Sequence, residues 1–134
     1  MSLKGIRDAV QSSVDDISGL WVYDTVPDSI NELPACWIIP SNGFYSDTFG
    51  NSMTHNLELT LLIARGGNLD EVQESLDDFI DFAGSNSIPT KIEETNLSTH
   101  GSTILVTSYT DYGGLEFAGT PFIGARINFA VTVD

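Results

Sequence analysis

With 134 residues and 41% apolar content, the chain is long enough for one domain that buries about two-thirds of its unfolded surface, and too apolar for wholesale disorder. Nineteen acidic residues oppose five basic ones, a net charge of −14, and the bases Lys4, Arg7, Arg65, Lys91 and Arg126 are scattered along the chain. No basic patch is available to neutralise phosphates, which argues against direct nucleic-acid binding and against docking on an anionic membrane.

Ser2 is placed to cap a first helix, in which Leu3, Ile6, Val10, Val14 and Ile17 recur at spacings of three and four; Gly19 is its expected stop. Leu20 to Val26 reads as a strand ended by Pro27-Asp28-Ser29. Ala35 to Ile39 reads as a second, short strand bracketed by Pro34 and Pro40, because proline cannot donate to a central ladder. Within it lies Cys36, the single cysteine, so no intramolecular disulfide is expected and a buried small hydrophobe is the expected role.

Residues 41–53 read as a long loop carrying Gly43, Phe44, Tyr45, Phe49 and Gly50. Loops of that length are usually functional, so Phe44, Tyr45, Phe49 and Met53 form a candidate oligomer or partner interface. The competing expectation is that the aromatics fold back over the core. His55 to Ala64 alternates with Leu57, Leu59, Leu61 and Ile63 on one face, while Leu62 and Ala64 make its end apolar on both. Such a strand is expected to be central or covered by another subunit.

Asn68 to Gly84 follows as an amphipathic helix, with Asn68 as candidate cap. Leu69, Val72, Leu76, Phe79, Ile80 and Ala83 form the inner arc. Its outer arc holds Asp70, Glu71, Glu74, Asp77, Asp78 and Asp81, with no Lys or Arg between Arg65 and Lys91. Asp70, Glu74, Asp77, Asp78 and Asp81 are the candidate acidic face. Like charges at i,i+4 each cost roughly 0.2–0.5 kcal/mol, so tertiary packing is expected to hold this helix. The acidity admits three readings: solubility or life in high salt, a surface past which DNA slides without sticking, or a cation site or basic protein partner.

A short helical turn is expected around Pro89, then strands at Thr99 to Tyr112 and Phe122 to Val133, joined by an extended glycine-bearing connection of about nine residues. In the last strand Ile123, Ala125, Ile127, Phe129, Val131 and Val133 share a face. The order implies a single α+β domain over residues 1–134: a mostly antiparallel sheet of about five strands with two main helices on one face.

No catalytic pattern emerges. His55 and His100 lie on separate elements, outside any spaced ligand set, and neither a phosphate loop nor a nucleophile elbow is present. The paired carboxylates sit on polar helix sides, where solvation is the default. No enzymatic activity, cofactor or metal is expected. With no long apolar stretch and no hydrophobic leader after Met1, an intracellular soluble protein is expected.

The layout resembles that of the tail terminator and tail-completion (neck) proteins of long-tailed phages, over most of the chain. The resemblance is carried by the amphipathic N-terminal helix, by Asp28-Ser29-Ile30-Asn31-Glu32-Leu33-Pro34-Ala35, and by Gly43-Phe44-Tyr45-Ser46-Asp47-Thr48-Phe49-Gly50 leading into the strand through Leu57. The acidic helix, Tyr112-Gly113-Gly114 and the closing strand complete it. The resemblance implies a structural virion protein, assembled in the host cytoplasm. Its partners would be itself, in a ring of commonly six copies that caps the tail tube, the tail tube protein, and a head-side connector. DNA would pass through without being read. A related neck or head-closure role shares the outline, and a non-viral acidic binding module for a basic partner would explain the charge equally well.

Overall fold

The computed structural model describes residues 2–45, 53–97 and 102–133. Ser2 opens α1 (Leu3–Val14), its Oγ accepting from the Gly5 amide at 3.0 Å. Ile6, Val10 and Val14 are fully buried along the inner face of α1, and Ile17 continues the stripe just beyond it. β1 is only Trp21–Val22, shorter than the strand expected over Leu20 to Val26, and pairs in parallel with β2 (Ala35–Tyr45). The chain leaves the sheet there because α1 captures its backbone: Gln11 Nε2 donates to the carbonyls of Asp24 and Tyr23, at 3.2 and 3.4 Å.

The remaining pairings are antiparallel: β2 with β3 (Met53–Arg65), β3 with β5 (Thr120–Val133), and β5 with β4 (Thr103–Phe117). The spatial order is β1-β2-β3-β5-β4. Two more helices, α2 (Leu69–Ile80) and α3 (Ile88–Glu93), join α1 on one face, so the fold is the α+β arrangement expected. Ser87 caps α3, accepting from the Thr90 amide at 3.2 Å, and Ser13 Oγ of α1 donates to the Lys91 carbonyl of α3 at 2.7 Å. The core between helices and sheet contains Leu57, Leu59 and Leu61 of β3, and Ala125, Ile127, Phe129 and Val131 of β5, all at most 1% exposed. Full burial of a side chain such as Leu76 or Phe79 of α2 contributes about 2–3 kcal/mol, enough to outweigh the charge repulsion along that helix.

The opposite sheet face carries a second cluster of Ile30, Ala35, Trp37, Leu62, Leu115 and Phe122, with Tyr23 and Phe117 packed against it. Trp37 and Phe117 rings lie 4.8 Å apart at 46°. The segment after β1 contributes Ile30, whose carbonyl accepts from the Arg65 guanidinium. Leu62 is therefore covered by its own chain, which removes the need for another subunit over that end of β3.

Besides β1, four boundaries differ from expectation. Ser41–Tyr45 are strand rather than loop, and Met53 already belongs to β3. Pro40 is tolerated because a bulge lies between Pro40 and Asn42, and because β1 pairs with β2 only at Ala35 and Cys36. The nine-residue connection is likewise ladder: β4 runs on through a bulge between Thr110 and Gly113, with Asp111 and Gly113 at φ 56° and 111°. Its turn is Ala118-Gly119, both at positive φ, as the twist of a two-residue hairpin demands. Finally, α2 ends at Ile80, where Asp81 turns extended (ψ 152°), so Ala83 is exposed and not part of the inner arc.

Candidate functional site

Of the interface residues expected from sequence, Phe44, Tyr45 and Met53 fall at one end of the β2–β3 ladder. Phe44 pairs with Thr54 and Tyr45 with Met53. Residues directly opposite in a ladder share a face, and Met53 is in turn opposite Val133, a core residue on the helix side. Tyr45 and Met53 thus lie on the helix face and Phe44 on the other. Neither aromatic folds back over the core: Phe44 is 62% exposed and Tyr45 80%, whereas Met53 is half-buried. Phe49 and His100 lie outside the described residues. His55, in the same ladder, is buried.

The acidic face is on α2 and the residue after it. Asp70, Glu74, Asp77, Asp78 and Asp81 are all exposed, while Leu76, Phe79 and Ile80 are buried beneath them. Asn68 occupies the N-cap position without a side-chain cap bond. Asp70 and Glu71 complement the positive N-terminal end, but the last turn contains no basic residue to complement the other. One carboxylate is engaged: Asp77 Oδ1 accepts from Tyr112 Oη at 2.5 Å. That bond, first among the causes, raises the phenol's pKa. Sequence reading did not find this link, because Tyr112 is far from Asp77 along the chain and reaches it only once β4 and α2 are packed together.

Three surface features had no sequence signal. Arg126, half-exposed on β5, holds Glu58 of β3 at 3.0 Å and also pairs with Asp111 of β4, so it neutralises carboxylates from both flanking strands. Beside β4 lies a groove of about 490 Å³ walled by Ile80, Phe82, Pro89, Val106 and Tyr109, with Phe82 and Tyr109 more than half exposed. A second groove of about 510 Å³, beside α1, is lined by opposite charges, including Lys4, Arg7, Asp8 and Asp15.

Cys36 is fully buried, and burial, followed by the Asp15 charge, pushes its thiol up to about 12, the opposite of an activated nucleophile. Among the described residues no group of three His, Cys, Asp or Glu is arranged to hold a metal, and no helix is long and apolar enough to cross a membrane. What the arrangement offers is surface: exposed aromatics at a hairpin end, an apolar groove at the far sheet edge, and a solvated acidic helix. No protein-family model matches the chain, and no curated protein matches it.

Proposed function

We propose that the chain is a structural, non-enzymatic virion subunit that forms a ring at the head-proximal end of a phage tail tube and joins tail to head. The observation that carries this reading is the uncovered pair Phe44 and Tyr45 at the end of the β2–β3 hairpin. Exposed aromatics at an open strand edge match the composition of interface cores. A second exposed apolar set, Phe82 and Tyr109, flanks the opposite edge of the sheet. Two different patches on opposite edges suit a heterologous contact, the kind that closes into a ring. The acidic surface supports the passage of DNA, since carboxylates repel phosphates and hold nothing back. Tail tube protein and a head-side connector are the partners implied on the two ring faces, and a neck or head-closure position is distinguished by which of them binds.

Light scattering on a sizing column, over a concentration series, tests the reading. A mass near six times 14.5 kDa is expected, alone or after addition of tail tubes, with a central pore on imaging. A monomer under all these conditions overturns it. The exposed acidic face of α2 favours a second reading, a module for a basic protein partner. That module would be monomeric, and its binding would weaken steeply with salt.

A further inference from the structure

We infer that copies of this chain join by strand addition, the outer edge of β2 in one copy pairing antiparallel with the outer edge of β4 in the next; this deepens the ring reading and rests on it. β2 and β4 terminate the long strands of the sheet, and three successive antiparallel pairings make them run in opposite directions. A second copy placed edge to edge in the same orientation therefore presents β2 antiparallel to β4, with its helices on the same side. Beyond Cys36, β2 has no outer strand partner among the described residues, and neither has β4. On β4, the Glu93 carboxylate accepts from the Val106 amide at 2.8 Å, which covers one edge donor.

Charge selects these edges. In a chain of net charge −14, Ala35–Tyr45 and Thr103–Thr110 contain no charged residue. Two such molecules approach with least repulsion along these strands, whereas α2 against any acidic surface is opposed. Natural sheet edges are commonly guarded by charges; here the acids beside Thr103–Thr110 are Glu93, Asp81 in the groove next to Tyr109, and Asp111 just beyond, which is paired with Arg126.

The side chains match across the joint. Following the register through the sheet, Phe44 stands level with Thr54, Thr132 and Thr103. Because β1 holds the outer side of Ala35 and Cys36, where the neighbour's Gly113 would otherwise fall, the joint is confined to Trp37–Tyr45 against Thr103–Thr110 of the neighbour. Within it, pairing without axial shift puts Phe44 opposite Thr103 and diagonal to Leu105, on the face away from the helices. On the helix face, Ile38 comes level with Tyr109. Phe44, Tyr45, Phe82, Leu105 and Tyr109 are exposed by 62, 80, 57, 60 and 57%. At about 200 Å² per large side chain they leave roughly 600 Å² uncovered, over half of the ~1,000 Å² a specific interface needs. The flanking backbone of both strands supplies the rest.

The test uses the full chain. A double variant, Phe44→Cys with Leu105→Cys, treated with a short bis-maleimide cross-linker, is expected to give a ladder on a denaturing gel that extends beyond the dimer. Either single variant is expected to give none, since native Cys36 is buried. Leu105→Glu, at an exposed position, is expected to reduce the mass in solution to about 14.5 kDa with an unchanged circular dichroism spectrum. If the oligomer keeps its mass in Leu105→Glu and the double variant gives no ladder, strand addition is overturned while the ring stands on another contact. A wild-type chain that remains monomeric at every concentration and salt, alone and with tail tubes, overturns both.

Discussion

Tyr112 Oη on β4 and Asp77 Oδ1 on α2 meet at 2.5 Å, tying the edge strand to the acidic helix. Because the acceptor is charged and the site is partly solvated, the bond is expected to contribute about 1 kcal/mol. Tyr112→Phe should lower the denaturant midpoint accordingly, and Asp77→Asn should bring the phenol back towards its ordinary pKa of 10.0. The raised native pKa sets the sign of the pH effect. Below pH 10 the phenol is protonated in both states and the contribution is complete; above it the unfolded chain loses its proton first, and the contribution disappears as pH rises through the native value. Denaturation curves of wild type and Tyr112→Phe should therefore converge at high pH.

Cys36 gives a second alkaline effect with the same sign. Its thiol is raised from 9.0 to about 12 by burial, so folding is opposed progressively as pH climbs between those values. At neutral pH, thiol reagents should label the native protein only at the rate of unfolding. Labelling as fast as in denaturant would contradict the burial. Cys36→Ser should cost about 1–3 kcal/mol, because it leaves a hydroxyl without a partner in an apolar layer.

Among the described glycines of the sheet, Gly124 leaves the least room for a side chain. A Cβ built there would sit 1.9 Å from the Leu61 carbonyl oxygen, which no side-chain motion relieves. Gly124→Ala is expected to cost about 3 kcal/mol or more through forced separation of β3 and β5. Equilibrium denaturation measures it directly; a loss below about 1 kcal/mol would show that the strands part easily.

Glu74 separates stability from function on α2. It stands at i,i+4 from both Asp70 and Asp78 and is exposed. Glu74→Lys replaces two repulsions with two attractions and should stabilise the fold by about 1 kcal/mol at low salt. The gain should fade as salt is raised. If the acidic face lines a DNA passage, the same variant should slow genome release from assembled particles while melting at a higher temperature.

The parts of the fold readable in advance were those where one force dominates. The alternation from Ile123 to Val133 is matched by burial at every one of those positions, because a half-buried strand has a single solution. The α1 cap and stripe were equally plain. Pro40, Gly43 and Gly113-Gly114 misled because their local preference for turns is overridden at an open edge and at bulges, where ladder bonds are missing anyway. The exposure of Phe44 and Tyr45 could not be read from sequence at all: it depends on where β1 stops and on what packs beside this end of β2. The same holds for the groove beside Phe82, which exists only because α2 ends at Ile80, earlier than its pattern allows.

The contact between Gly124 and Leu61 also bears on recognising kin. Volume-conserving exchange among apolar residues generally costs a strand little, so divergence can erase overall similarity while an architecture persists. The pairing of β3 with β5 at Gly124 has no such freedom. A glycine between two apolar residues in the final strand, opposite a Leu-Leu pair in the long third one, is therefore the fingerprint to align on when all else has drifted.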